Sequence, residues 1–62
     1  MSRKMRTWVV TISMVNEEGK FDYYTDEFQR MDAVARCLMT FRPKKKGYKI
    51  VRYVLEDFET FF

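Results

Sequence analysis

Residues 7–14 alternate strictly between two sets of side chains, and this pattern constrains the fold more than any other feature of the chain. One set is largely apolar and the other is more polar: Trp8, Val10, Ile12 and Met14 against Thr7, Val9, Thr11 and Ser13. A period of two, with β-branched and aromatic residues, predicts a strand that is buried on one face. We expect the set that begins with Trp8 to face the core.

A hairpin loop is predicted directly after this strand. Asn16 and Gly19 tolerate positive φ, so the segment 16–19 should form a turn with Gly19 in the left-handed region. The returning strand is expected over residues 20–25. Its alternation separates Phe21, Tyr23 and Thr25 on one face from Asp22 and Tyr24 on the other.

A helix should follow, because apolar residues then recur at spacings of three and four. The stripe consists of Phe28, Met31, Val34, Ala35, Leu38 and Phe41. Two starting points fit the sequence. Either Asp26 caps the helix, with Gln29 three residues later, or the second strand runs to about Phe28 and the helix begins near Arg30. Pro43 should end the helix, because the residue before a proline is disfavoured in helical conformation.

The remaining residues predict a basic turn at 44–47 and a third strand over residues 48–55. The expected fold is therefore α+β: one small β-β-α-β domain over residues 1–62, a three-stranded sheet with one helix packed on one face. The ordered core spans about residues 6–55, and residues 56–62 form an acidic-aromatic tail. We expect the third strand to run parallel to a central first strand.

The other face of this sheet lacks a second layer. The residues expected there are Val9, Tyr24 and part of the set Val51, Tyr53 and Leu55. The third strand does not alternate well, so the sequence leaves open which of its side chains point inward.

Composition argues against catalysis. The 62 residues include no histidine and one cysteine, Cys37, which falls within the predicted helix. Without histidine, that thiol lacks a general base, and the chain lacks common metal ligands. Adjacent carboxylates such as Glu17 and Glu18 are expected to be solvated. We therefore expect a protein that is not an enzyme and uses no metal or cofactor. An unpaired cysteine and the absence of a long apolar run predict a cytoplasmic protein that does not enter membranes.

Charge is arranged in alternating blocks. The first residues are basic, residues 17–32 are mainly acidic, residues 42–52 are strongly basic, and the last residues are acidic, for a net charge of +3. Such blocks steer a charged partner or pair with one another across the fold. The sequence alone leaves both alternatives open.

The basic run 42–49 is the best candidate for binding nucleic acid. Lysines bind phosphates, and an aromatic ring stacks on a base. The candidate residues are Lys44, Lys45, Lys46, Tyr48 and Lys49, with Tyr24 and Tyr53 as sheet aromatics. The alternative is a solvated turn, where cations favour the C-terminal end of the helix dipole.

The tail interleaves acids with Phe58, Phe61 and Phe62. Exposed phenylalanines are costly, so the tail should either fold back on the bare sheet face or dock in a partner's pocket.

The element order and a few residues of the chain resemble a phage family. The matching features are Trp8, the pair Asp32-Ala33, Pro43 and the segment 47–52. Over residues 6–52 the chain is similar to the small early inhibitors of host RNA polymerase made by podoviruses that infect coliform bacteria. The resemblance implies that Arg52, and one of Glu17 and Glu18, contact the polymerase. Val54 stands where that family has a second arginine, and the aromatic tail has no counterpart there.

Three hypotheses for function follow. The first is a phage-like cytoplasmic protein that binds a host protein, such as RNA polymerase or a defence complex, and inhibits or redirects it. The second is a nucleic-acid-binding protein that uses the basic turn. The third is a self-associating module, such as a homodimer, joined through the open sheet face or the phenylalanine tail. The candidate partner-binding residues are Arg52, Lys44, Lys45, Lys46, Tyr48, Lys49, Glu17, Glu18, Tyr24, Tyr53, Phe58, Phe61 and Phe62.

Overall fold

The computed structural model describes residues 4–61, with side chains from Lys4 to Thr60. Its elements are β1 (Lys4–Val15), β2 (Phe21–Phe28), α1 (Met31–Thr40) and β3 (Lys49–Phe61). They form one three-stranded sheet in the order β2-β1-β3, with α1 against one face. The predicted α+β class, the β-β-α-β order and the central position of the first strand are confirmed.

The predicted direction of the third strand was wrong, because β3 runs antiparallel to β1. The hairpin reverses the chain once, and α1 then carries it back along β2. A strand that leaves α1 must therefore run parallel to β2, which makes it antiparallel to the strand between them.

The turn between β1 and β2 is held by Asn16. Its side-chain oxygen accepts hydrogen bonds from the backbone N–H groups of Glu18 and Lys20, at 3.0 and 2.9 Å. Gly19 has φ +81°, as predicted, and its N–H donates to the Asn16 carbonyl at 3.0 Å. Only glycine adopts this φ readily, so this residue allows the turn to close.

Of the two predicted helix starts, the later one is right. β2 continues to Phe28, and α1 begins after Arg30, which offers no side-chain cap. Asp26 cannot cap the helix because it lies within β2, where its carboxylate accepts hydrogen bonds from the Tyr24 hydroxyl and the Glu27 N–H.

Among residues 4–60, four form the buried core: Val10, Ile12, Met14 and Val34. The alternation in β1 thus places its apolar set beneath α1, as predicted. On the helix, only part of the predicted stripe faces the sheet. Met31 and Ala35 are exposed, whereas Leu38 and Phe41 pack against the core.

The C-terminal residues do not form a separate tail. β3 extends to Phe61, and its last residues pair with the first residues of β1, so that Thr60 lies opposite Met5. This corrects the predicted end of the third strand at residue 55 and the expected fold-back of residues 56–61 on the sheet face; docking of the phenylalanines in a partner's pocket stays a prediction. A register shift opposite Ser13 and Met14 inserts Val51 as an extra residue. That bulge accounts for the poor alternation of the third strand.

Candidate partner-binding surface

The sheet face opposite α1 is uncovered by any other element among residues 4–61. Residues directly opposite each other in antiparallel strands project from the same face, so the register identifies which side chains lie there. We call this surface the open face; it carries Met5, Thr7, Val9, Thr11, Ser13, Val15, Phe21, Tyr23, Thr25, Glu27, Lys49, Arg52, Val54, Glu56, Phe58 and Thr60.

One end of the open face is aromatic and basic. The rings of Phe21 and Tyr23 are stacked, with centroids 6.4 Å apart and planes 13° from parallel. Both side chains are largely exposed, at 60% and 62%. Ser13 lies between Tyr23 and Arg52, and Val15 lies between Phe21 and Lys49. The two exposed aromatic rings on β2 are therefore separated by the width of β1 from two cations on β3, Arg52 and Lys49.

The other end of the open face is acidic. Val9 has Glu27 opposite it on β2 and Glu56 opposite it on β3. Phe58 follows on β3, opposite Thr7, and is 48% exposed. The open face therefore presents opposite charges at its two ends, with apolar side chains at both.

Tyr24 does not lie on the open face, contrary to the prediction. It is opposite Ile12, on the helix side, and its ring packs against Phe41 with centroids 4.9 Å apart. Its hydroxyl donates a hydrogen bond to Asp26 at 2.9 Å, and this bond is the main reason why the pKa of Tyr24 is raised. Tyr53 is also opposite Ile12, but α1 does not approach β3, and Tyr53 is 50% exposed.

The predicted nucleic-acid turn is partly engaged within the fold. The Nζ atom of Lys45 lies 3.4 Å from an Asp22 carboxylate oxygen and 5.8 Å from the centroid of the Tyr48 ring. Tyr48 itself is half-buried against the core. Lys44, Lys45, Lys46 and Lys49 are all exposed. A cavity of about 190 Å³ is lined by Met14, Asp22, Tyr23, Tyr24, Phe41, Lys44, Lys45 and Tyr48.

The acidic C-terminal block is paired with the basic N-terminal block. Lys4 Nζ is 3.0 Å from Glu59 Oε1, and Arg6 reaches both Asp57 and Glu59, at 3.3 and 3.2 Å. The Arg6 guanidinium also lies 5.9 Å from the Trp8 ring centroid. These two charge blocks therefore pair with each other across the fold, which is one of the two alternatives that the sequence left open. Phe62 and the side chain of Phe61 lie outside the described residues.

The pairing with Lys4 makes Glu59 sensitive to acid. A hydrogen bond from Lys4 is the main cause that holds the pKa of Glu59 below its ordinary value of 4.5. Since the folded pKa is the lower one, this stabilisation is present above the unfolded value and is lost as the pH falls through the folded pKa. Urea unfolding at neutral and acidic pH measures this effect. Between the two pH values, we expect the free energy of unfolding to fall less for Glu59→Gln than for the parent chain. Glu17→Gln, in the exposed turn, is the control and should behave as the parent does.

The two turn carboxylates implicated by the resemblance lie at the aromatic-basic end. Glu17 and Glu18 are exposed in the turn between β1 and β2, and Glu18 is 3.6 Å from the Lys20 Nζ. Arg52 belongs to the same end of the sheet because it pairs with Ser13, near the end of β1. The fold therefore brings Arg52 and the turn to one end of the molecule.

The single cysteine of the chain lies on α1. Cys37 is half-buried, and burial is the main cause that raises the pKa of its thiol, so the reactive thiolate is disfavoured. No cluster of three potential metal ligands occurs among residues 4–61. Over the same residues, no helix has the length and apolarity that crossing a bilayer requires.

Sequence reasoning missed the pair at the centre of the aromatic-basic end. It separated Phe21 and Tyr23 correctly from Tyr24 but did not assign them to the open face. The loop length carries the missing signal. Five residues, 16–20, separate Val15 from Phe21, and the Asn16 N–H donates to the Lys20 carbonyl, so that Val15 pairs with Phe21. Counting back from that pair places Tyr23 beside Ser13, on the polar side of β1.

No family model, curated protein or solved structure matches the chain. The resemblance to the polymerase inhibitors of podoviruses rests on the residues given above.

Proposed function

We propose that the chain is a small non-enzymatic binding protein whose open face docks on a protein partner. The observation that carries the proposal is the exposed, stacked pair Phe21 and Tyr23, which shares with Arg52 one end of a sheet face that no other described element covers. Large exposed aromatic side chains that lie together mark interaction sites. Tyrosine and arginine are also the residues that most often dominate binding energy.

The charges of the open face favour a protein over a nucleic acid. Glu27 and Glu56 lie on the same face as Arg52, and a phosphate backbone laid along that face would meet both carboxylates. A protein surface can offer an opposite charge to each end, which orients the complex. The basic turn is a weaker candidate because Lys45 is paired with Asp22 and Tyr48 is half-buried.

The resemblance gives the partner its proposed class. Arg52 is the residue that the resemblance assigns to the contact, and it lies at the same end of the open face as the exposed aromatic pair. We therefore propose a phage-like protein that inhibits or redirects a bacterial host protein, with RNA polymerase as the first partner to test.

The test compares capture of purified bacterial RNA polymerase, and of proteins from a bacterial lysate, by three forms of the chain. The parent chain and Met39→Ser, which changes a residue that is 78% exposed on the helix, should retain the same stoichiometric partner. Tyr23→Ser should bind it roughly 30-fold more weakly, as expected for the loss of a central tyrosine worth about 2 kcal/mol.

The proposal fails if the parent chain retains no stoichiometric protein, or if Tyr23→Ser binds as well as Met39→Ser. Binding to DNA or RNA that weakens steeply with salt would instead support the basic turn.

A further inference from the structure

β3 is a long edge strand with one side unpaired. Twelve of its thirteen residues pair with β1 on one side, and no strand among residues 4–61 pairs with the other. α1 packs over β1 and β2 and does not approach β3. As a result Tyr53 and Leu55, on the helix side of β3, remain 50% and 44% exposed. An unpaired edge of this length is a template for another strand.

The sequence of β3 complements itself when two copies pair antiparallel. Residues that lie opposite each other in an antiparallel pair project from the same face of the sheet. Because side chains alternate along a strand, a twofold axis between two residues would pair side chains from opposite faces, so the axis must pass through a residue. With the axis at Val54, that residue meets its own counterpart and Tyr53 meets Leu55. Arg52 then meets Glu56, twice by symmetry.

The neighbouring registers lack this complementarity. An axis at Leu55 places Arg52 opposite Phe58 and Val54 opposite Glu56. An axis at Tyr53 places Arg52 opposite Val54 and brings Leu55 against the bulge residue Val51. Of these three registers, only the axis at Val54 places opposite charges across from each other and apolar side chains across from apolar side chains.

We infer that two copies of the chain pair through β3, antiparallel and centred on Val54, into one six-stranded sheet. Neither Arg52 nor Glu56 makes an ion pair within the described residues of one copy, so both carry charge that the second copy can match. Tyr53 and Leu55 of each copy cover one another where α1 does not reach. The inference does not rest on the proposed protein partner, because it is tested on the purified chain alone.

The first experiment is a charge exchange followed by sedimentation velocity at up to about 100 μM, which detects dimers with micromolar dissociation constants. The parent chain should form a dimer. Arg52→Glu and Glu56→Arg each place like charges opposite one another twice, and each should weaken the dimer at least about tenfold. The double variant R52E/E56R restores opposite charges and should restore the dimer. A monomeric parent chain, single variants that dimerise as the parent does, or a double variant that stays monomeric would overturn the inference.

A cysteine on the axis tests the register without changing charge. In a Cys37→Ser background, Val54→Cys should form a disulfide between copies under mild oxidation. Residues directly opposite have Cα atoms about 4.5–5.5 Å apart, within the range that a disulfide spans. Phe58→Cys lies on the same strand and the same face, but in this register its two copies are roughly 26 Å apart along the strands. If Val54→Cys cross-links no faster than Phe58→Cys, the register is wrong.

Discussion

Replacing Ile12 with alanine is expected to leave much of the protein unfolded at room temperature. Ile12 is fully buried, with Tyr24 and Tyr53 on either side of it in the sheet. Truncating a buried isoleucine to alanine costs about 2–5 kcal/mol. A domain of this length has a total stability of roughly 3–9 kcal/mol. Because the buried core of residues 4–60 consists of only four side chains, the loss of one removes a large part of it.

Urea unfolding followed by circular dichroism measures this effect. Thr11→Ala is the matched control, since Thr11 is the next residue along β1 and lies on the open face; its replacement should cost less than about 1 kcal/mol. Ile12→Val should lie between the two, at about 0.5–1.5 kcal/mol. Equal unfolding midpoints for Ile12→Ala and Thr11→Ala would contradict the assignment of the core.

An aspartate at position 34 should detach the helix from the sheet. Val34 is 1% exposed and is the one helix residue that belongs to the buried core. A carboxylate there would have no partner in the core, and an uncompensated buried charge costs about 3–5 kcal/mol. We expect Val34→Asp to lose helical circular dichroism and cooperative unfolding at neutral pH.

Ala35→Asp provides the control because Ala35 is the next residue on α1 and is exposed; it should fold as the parent does.

Lowering the pH should stabilise Val34→Asp, whereas it removes the stabilisation that Glu59 gives the parent chain. Burial raises the pKa of an aspartate, so the folded form of Val34→Asp would bind a proton more readily than the unfolded form. Its stability should recover in part as the pH is lowered. If Val34→Asp folds normally at neutral pH and gains no stability as the pH is lowered, position 34 is not buried.

Local patterns predicted β1, the turn and the existence of α1, because each depends on residues that are neighbours in sequence. The direction of β3 depends on the whole path of the chain, and the local pattern of residues 48–55 carries no trace of it. The length of β3 was missed for a related reason. Its acidic residues resembled a solvated tail because Lys4 and Arg6, which pair with them, lie at the other end of the sequence.

The candidate surface was predicted in part. Arg52 and the turn carboxylates Glu17 and Glu18 belong to one end of the molecule, and their contact with a polymerase stays a prediction. Tyr24 and Tyr48 were expected to be available to a partner, yet their rings contact Phe41 and Lys45. Aromatic side chains serve equally well in a core and at an interface, so composition alone cannot distinguish the two. For Tyr24, the register of β1 with β2 makes that distinction.

The pairing of Lys4 with Phe61 has a practical consequence for anyone who handles this protein. Anything fused before the first residue of β1 or after the last residue of β3 emerges at the same end of a molecule 52 Å long. The Gly19 turn is at the opposite end, about 40 Å away along β1. A label, resin or sensor surface attached at either terminus therefore points the stacked rings and Arg52 outward, into solution.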